Sequence, residues 1–210
     1  MDQNLRAVIV KRIHHTVEAL RKNRFEAHFL PTKTELLATI SGITPQGCSC
    51  SIGGSVTLEQ TGVRALLENG NYNYLDRYAP GADAQQIMLE ALGCDVYFTG
   101  TNAITMDGKL YNIDGRGNRV AAYCFGPKKV IVIAGYNKIV ADIPAAQTRM
   151  RHFSAPANAI RLGYQTPCAV TGICQDCASP SRICSQELIT GWQQTPGRIC
   201  VLILGEEYGL

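Results

Sequence analysis

The sequence predicts an α/β fold: a mainly parallel sheet with helices on both faces. Three observations carry this. Val130–Ala134 (VIVIA) and Ile199–Leu204 are continuous apolar runs, as expected of strands buried on both faces. Candidate strands and helices alternate along most of the 210 residues. Hydrophobic residues make up 46% and charged residues 18%, enough apolar material for a sizeable core.

Taken in order, Leu5, Val8, Ile9, Ile13, Val17 and Leu20 recur at helical spacing through Asn4–Asn23. Phe25–Leu30 is a short strand. Thr32, with Glu35 three residues on, forms a capping box that opens a second helix. Cys48–Ile52 is a strand of small residues. Gly53-Gly54-Ser55 then turns into a helix beginning near Thr57, where Gln60 stands in capping-box position. The tyrosine-rich Asn71–Pro80 reads as surface packing ahead of the alternative, a lid over a pocket. Ala82–Leu92 is a helix and Asp95–Thr99 a strand. Asp107-Gly108, between Ala103–Met106 and Lys109–Ile113, marks a hairpin. Asn118 caps a short helix that Gly126-Pro127 stops. Asp142 caps another, with Pro144 in its first turn, and Pro156 starts one more. The expected organisation is an α/β unit over 1–165, a cysteine-rich segment over 166–185, and a final strand within 186–210 that completes the same domain.

Thr166–Cys184 (TPCAVTGICQDCASPSRIC) stands apart. Cys168, Cys174, Cys177 and Cys184 follow the spacing Cys-x5-Cys-x2-Cys-x6-Cys among Pro167, Gly172 and Pro180, so the segment reads as a loop. A loop of this length needs something to hold it, and four thiolates on one metal centre would do so. Structural zinc usually shows two Cys-x2-Cys knuckles and only one is present here, so an iron–sulfur cluster of the [4Fe–4S] kind ranks ahead of zinc. Free thiols or a disulfide pair are the plain alternative. Arg182 and the amides near Gly172 are placed to hydrogen-bond cluster sulfurs. Cys48, Cys50, Cys94, Cys124 and Cys200 lie in apolar or small-residue segments and read as core.

A second candidate site follows from the sheet. Ligands bind such sheets at the carboxyl ends of the strands. Four polar turns fall there: Gly53–Thr57, Thr99–Asn102, Asp114–Arg119 and Asn137-Lys138. Gly53, Gly54, Ser55, Thr57, Asn102, Asp114, Asn118 and Lys138 are the expected contacts for a small anionic ligand. Arg119 is a lesser candidate, with partners available inside its own helix.

The net charge of +3 is too small to argue for nucleic acid or a membrane surface. No apolar run reaches membrane-span length, and the start lacks a signal-peptide core, so the expected location is cytoplasmic.

SIGGSVTLEQTG, TGTNAITMDG, NIDGRGNRVAAYCFGPKKVIVIAGYNKIV and the four-cysteine segment resemble the LUD (lactate utilization) domain. The resemblance covers nearly the whole chain. It implies a fold like that of CoA transferases and ribose-5-phosphate isomerases. Some members of that family serve in lactate oxidation beside redox partners that carry iron–sulfur clusters; others stand alone without an assigned reaction, and the four-cysteine segment resembles the small stand-alone members. Isomerases of this fold use an acidic loop, and the comparable Thr99-Gly100-Thr101-Asn102 has no carboxylate. From the cysteine loop together with the resemblance, the expected function is a redox accessory or subunit in hydroxy-acid oxidation. The alternatives are a metal-stabilised (zinc) small-anion binding protein, or a transferase-like enzyme taking a phosphorylated or CoA-linked ligand.

Overall fold

The computed structural model describes residues 1–210. Its main sheet has six parallel strands in the order β1 (Glu26–Leu30), β10 (Ile199–Leu204), β7 (Lys129–Gly135), β4 (Val96–Gly100), β2 (Ser49–Ile52) and β3 (Asn73–Leu75). The two apolar runs, β7 and β10, are its central pair and are buried almost throughout. Their alternate residues feed two cores. Val130, Val132 and Ala134 join Val201 and Ile203 under α1 (Gln3–Lys22), which contributes Ile13, Val17 and Leu20. Ile131 and Ile133 join Leu202 and Leu204 on the other face. There α2 (Lys33–Ile43), α3 (Val56–Gln60) and α4 (Val63–Asn69) supply Leu36, Ile40, Leu58, Val63 and Leu67. Each such side chain, fully buried, contributes roughly 1.5–3 kcal/mol. No helix is long and apolar enough to cross a membrane.

The hairpin at Asp107-Gly108 does not extend the main sheet. β5 (Ala103–Thr105) and β6 (Leu110–Asp114) pair antiparallel, and a second sheet forms in the order β8 (Ile139–Val140), β5, β6, β9 (Gln186–Thr190). Its core is small: Ala103 and Tyr111 against Ala146, Met150 and Ala155. The last three belong to one continuous helical stretch, α7 (Ile143–Arg149), a π-helical turn over Met150–Ser154, and α8 (Ala155–Arg161). Asp142 caps α7 by accepting from the Ala145 amide.

Several local expectations need correction. At Thr32 the hydroxyl oxygen caps the Glu35 amide as expected and donates in turn to the Glu35 carboxylate, which does not reach the Thr32 amide; the box at Thr57 and Gln60 does not form. There Ser55 holds the cap position, and Gln60 Oε1 accepts from the Gly209 amide instead. Asn118 is the first residue of α6 (Asn118–Cys124) rather than its cap; Gly117, at φ +85°, precedes it in the left-handed region. The Asp114 carboxylate, reaching the Val120 amide, does the capping. The cysteine segment is not all loop. Pro167 opens a short helix, α9 (Pro167–Thr171), that carries Cys168 and ends on Gly172 at φ +74°.

Candidate functional site

A cleft of about 430 Å³ opens at the carboxyl end of the main sheet, between the two sheets. The turns after β2, β4, β6 and β7 all reach it. They bring Gly54, Ser55, Thr57, Asn102, Asp114, Asn118 and Lys138 into its lining. Gly53 is not part of that lining. It is buried, its amide donates to Phe98 O, and Thr99, Tyr97 and Arg119 crowd its Cα. Gly54 is exposed and close under Arg77 and Tyr78.

Asp114 and Arg119 hold the cleft together. Asp114 Oδ1 accepts from Arg119 Nε at 2.8 Å, and Oδ2 from the Val120 amide at 2.9 Å. Arg119 also donates to Gly100 O, Asn112 Oδ1, Asn102 Oδ1 and Ile113 O, at 2.7–3.0 Å. The guanidinium thereby ties β4, β6 and α6 into one corner, with its hydrogen-bonding capacity used on the protein. Asp114 is likewise committed, so it shapes the cleft instead of facing a ligand.

What the cleft offers a ligand is positive charge and donors. Arg77, Arg116, Lys138 and Arg161 line it and none pairs with a carboxylate; Asp114, already committed, is the sole acidic residue in the lining. Arg77 Nη2 donates to Tyr78 OH, and its Nε is buried without a partner. Asn102 spends its carbonyl on Arg119 and the Ile113 amide, which leaves its NH₂ free. Lys138 ends a 3-10 turn, Tyr136–Lys138, after β7 and is 2% exposed. Burial, then Arg149 and Arg119 nearby, push its amine down from 10.5 to about 7. Arg149 stands behind it, donating to Asn137 O, Asn102 O and Ser154 Oγ.

The cysteine segment is fastened to this cleft. The Ser185 amide donates to Asp114 O at 2.8 Å, and Ile183 lines the cleft. A Cβ on Gly115 would stand 3.2 Å from Ile183 Cα, so glycine there permits the close approach. Arg182 is spent inside the segment, on Cys184 O, Cys177 O and Asp176 Oδ1, and not on sulfur or an outer partner. All four thiols are half-buried. Burial pushes the Cys184 thiol up and Arg182 pulls it down, while Cys174 and Cys177 are near enough to push it up further. The sole set of three metal-type ligand atoms within 4.8 Å of one another is Glu26, His28 and Cys200, at the opposite end of the sheet. No three of the four loop sulfurs therefore lie within 4.8 Å of one another, whereas tetrahedral zinc with ~2.3 Å bonds holds all four at roughly 3.8 Å. A cubane places each thiolate on its own iron and so accepts a wider set.

The sequence pattern of the LUD domain matches residues 13–204. This chain belongs to the LUD domain family. It is a lactate-utilization-like protein in that sense. Its LUD fold is also that of a crystallised DUF162 family protein from Deinococcus radiodurans. That protein is 13% identical over 95% of this chain and 97% of its own, with a TM-score of 0.53. A ribose 5-phosphate isomerase from Plasmodium falciparum shows a slighter likeness: 18% identity, 52% of each chain and a TM-score of 0.33. No curated protein matches the LUD chain.

The roles of several residues at the site were not legible in the sequence. Arg119 is its central clasp, whereas reading it as a residue with partners in its own helix hides that role. Tyr78, in the segment expected to pack on the surface, lines the cleft beside Arg77. The cleft cations Arg77, Arg116 and Arg161, none of them paired with a carboxylate, had no motif to announce them.

Proposed function

We propose that this LUD-domain protein is a redox accessory or subunit in hydroxy-acid oxidation, with a small-anion cleft and an adjoining [4Fe–4S] cluster on Cys168, Cys174, Cys177 and Cys184. The observation that carries this is the junction of cysteine segment and cleft, through Ser185–Asp114 and Ile183–Gly115. A metal-binding segment that served only as a clip has no reason to abut the ligand site. When bound, the cluster supplies one-electron transfer. The cleft residues supply the rest: Arg77, Arg116, Arg161 and the NH₂ of Asn102 attract and orient a carboxylate. The exposed apolar side chains of Phe153, Ile160, Val170 and Ile173 lie on the cysteine segment and the helices beside it, which suits docking of a redox partner protein.

Anaerobic purification with iron and sulfide analysis, followed by a redox titration, tests the proposal. Serine at any of Cys168, Cys174, Cys177 or Cys184 lowers bound iron at least several-fold, and Cys200→Ser, in the sheet core, leaves it unchanged. Iron content indifferent to all four loop substitutions, zinc in place of iron, or a centre that does not cycle reversibly would overturn it.

A further inference from the structure

Lys138 has more chemistry than anion binding requires. Arg77, Arg116 and Arg161 already give the cleft fixed positive charge. An amine added only to bind an anion would sit where its proton is favoured. Lys138 sits where it is not: it is 2% exposed, with no Asp or Glu side chain paired to it, and the Gly209–Leu210 tail packs alongside. The charged groups acting on it are the guanidiniums of Arg119, on α6, and Arg149, on α7. Arg119's own counter-charge, Asp114, is taken up by that pair. Even so, Lys138 lines the same cleft as Ser55, Thr57 and Asn102, whose NH₂ is free. Desolvation beside other cations is the setting that turns lysine into a nucleophile.

We propose that Lys138 captures a 2-oxo acid covalently, as an imine on the carbonyl carbon. This rests on reading the cleft as a hydroxy-acid or oxo-acid site, since the oxo acid is the two-electron oxidation product of a 2-hydroxy acid. The Nζ lone pair attacks the carbonyl carbon and the C=O π pair moves to oxygen. That oxygen departs as water with the two amine hydrogens, and a C=N bond stands in place of C=O. No oxidant or reductant is consumed. The donors of Ser55, Thr57 and Asn102 are available to the carbonyl oxygen as charge builds on it. The neighbouring carboxylate of the acid falls to the cleft's arginines. With a neutral amine near pH 7, the free protein holds the reactive form without a separate base.

The test is reductive trapping on the whole purified protein, with pyruvate as probe and cyanoborohydride as hydride donor. The mass gained is that of the acid plus two hydrogens, less one water. A single adduct is expected, mapping to Lys138, absent from Lys138→Met and Lys138→Arg, and suppressed by excess lactate, which has the carboxylate but no carbonyl. Its initial rate rises with pH and levels off near pH 8, whereas a surface lysine keeps rising about tenfold per unit toward its ordinary pKa near 10.4. Circular dichroism establishes that both variants fold. Adducts scattered over surface lysines and undiminished in Lys138→Arg would overturn the proposal. So would pyruvate binding by calorimetry with no trapped adduct, which would leave Lys138 an ionic contact. The redox titration is separate: a protein that traps pyruvate but holds no reversible centre keeps this inference and loses the redox reading. One that cycles but traps nothing does the reverse.

Discussion

Arg119→Met lowers the unfolding free energy by about 3–5 kcal/mol, the range for removing one partner of a buried ion pair. The melting temperature falls with it, by roughly 10 °C for a chain of this size. The side chains of Arg119 and Asp114 are 12% and 8% exposed, so water cannot replace the lost partner cheaply. The loss extends beyond the pair. Gly100 O, Ile113 O and the amide oxygens of Asn102 and Asn112 lose the same donor group. Arg119→Lys recovers less than half of the loss, because a point charge on a flexible stem cannot reach acceptors spread around a planar fork. Arg116→Met, on an exposed side chain of the same turn, changes stability by less than about 0.5 kcal/mol. Urea denaturation of the three variants measures this. A loss under 1 kcal/mol for Arg119→Met would mean that the corner is held by something other than the guanidinium.

The main sheet was legible because its central strands have one job. Alternate residues of Val130–Ala134 enter opposite cores, so every position is apolar and the run stands out. The second sheet left no such trace. β8 has two residues, and β9 reads Gln186-Glu187-Leu188-Ile189-Thr190, half-exposed, with its pairing set by β6 and not by its own periodicity. The cleft was partly legible for a topological reason: polar turns after parallel strands share one end of the sheet, whatever their residues. Asn102, Asn118 and Lys138 meet there although 36 residues separate the first from the last. Arg119 was not legible because its acceptors come from three elements, and only the fold gathers them. The short helix at Pro167 did leave a signal, proline at the first helical position and glycine just past the last. With Pro180 further on, the same proline and glycine read as marks of a loop instead.

Lys138→Met stabilises the protein while weakening the cleft. The folded chain holds this amine at about 7 against 10.5 when unfolded. A folded-state pKa below the unfolded one means that the unfolded chain binds more protons between those values, so stability rises with pH across that window. Below pH 7 both states are protonated and the folded chain bears the full cost of a buried, unpaired ammonium. The shift corresponds to at most about 5 kcal/mol, and water in the cleft lowers the expected cost to about 2–4 kcal/mol. Methionine keeps the stem's volume and removes the charge. At pH 6 the variant is therefore expected to exceed the parent by about 2–4 kcal/mol, with the gap closing as pH rises from 7 to 10.5. Pyruvate affinity, measured by calorimetry at pH 7, falls at least tenfold, since a contact to the bound acid is lost. A variant less stable than its parent at pH 6 would show that Lys138 holds the fold through an attraction, and the argument for a functional amine would fail. If instead stability rises as binding falls, a residue that weakens the fold is retained for the ligand it meets, which is how strain is distributed at working sites.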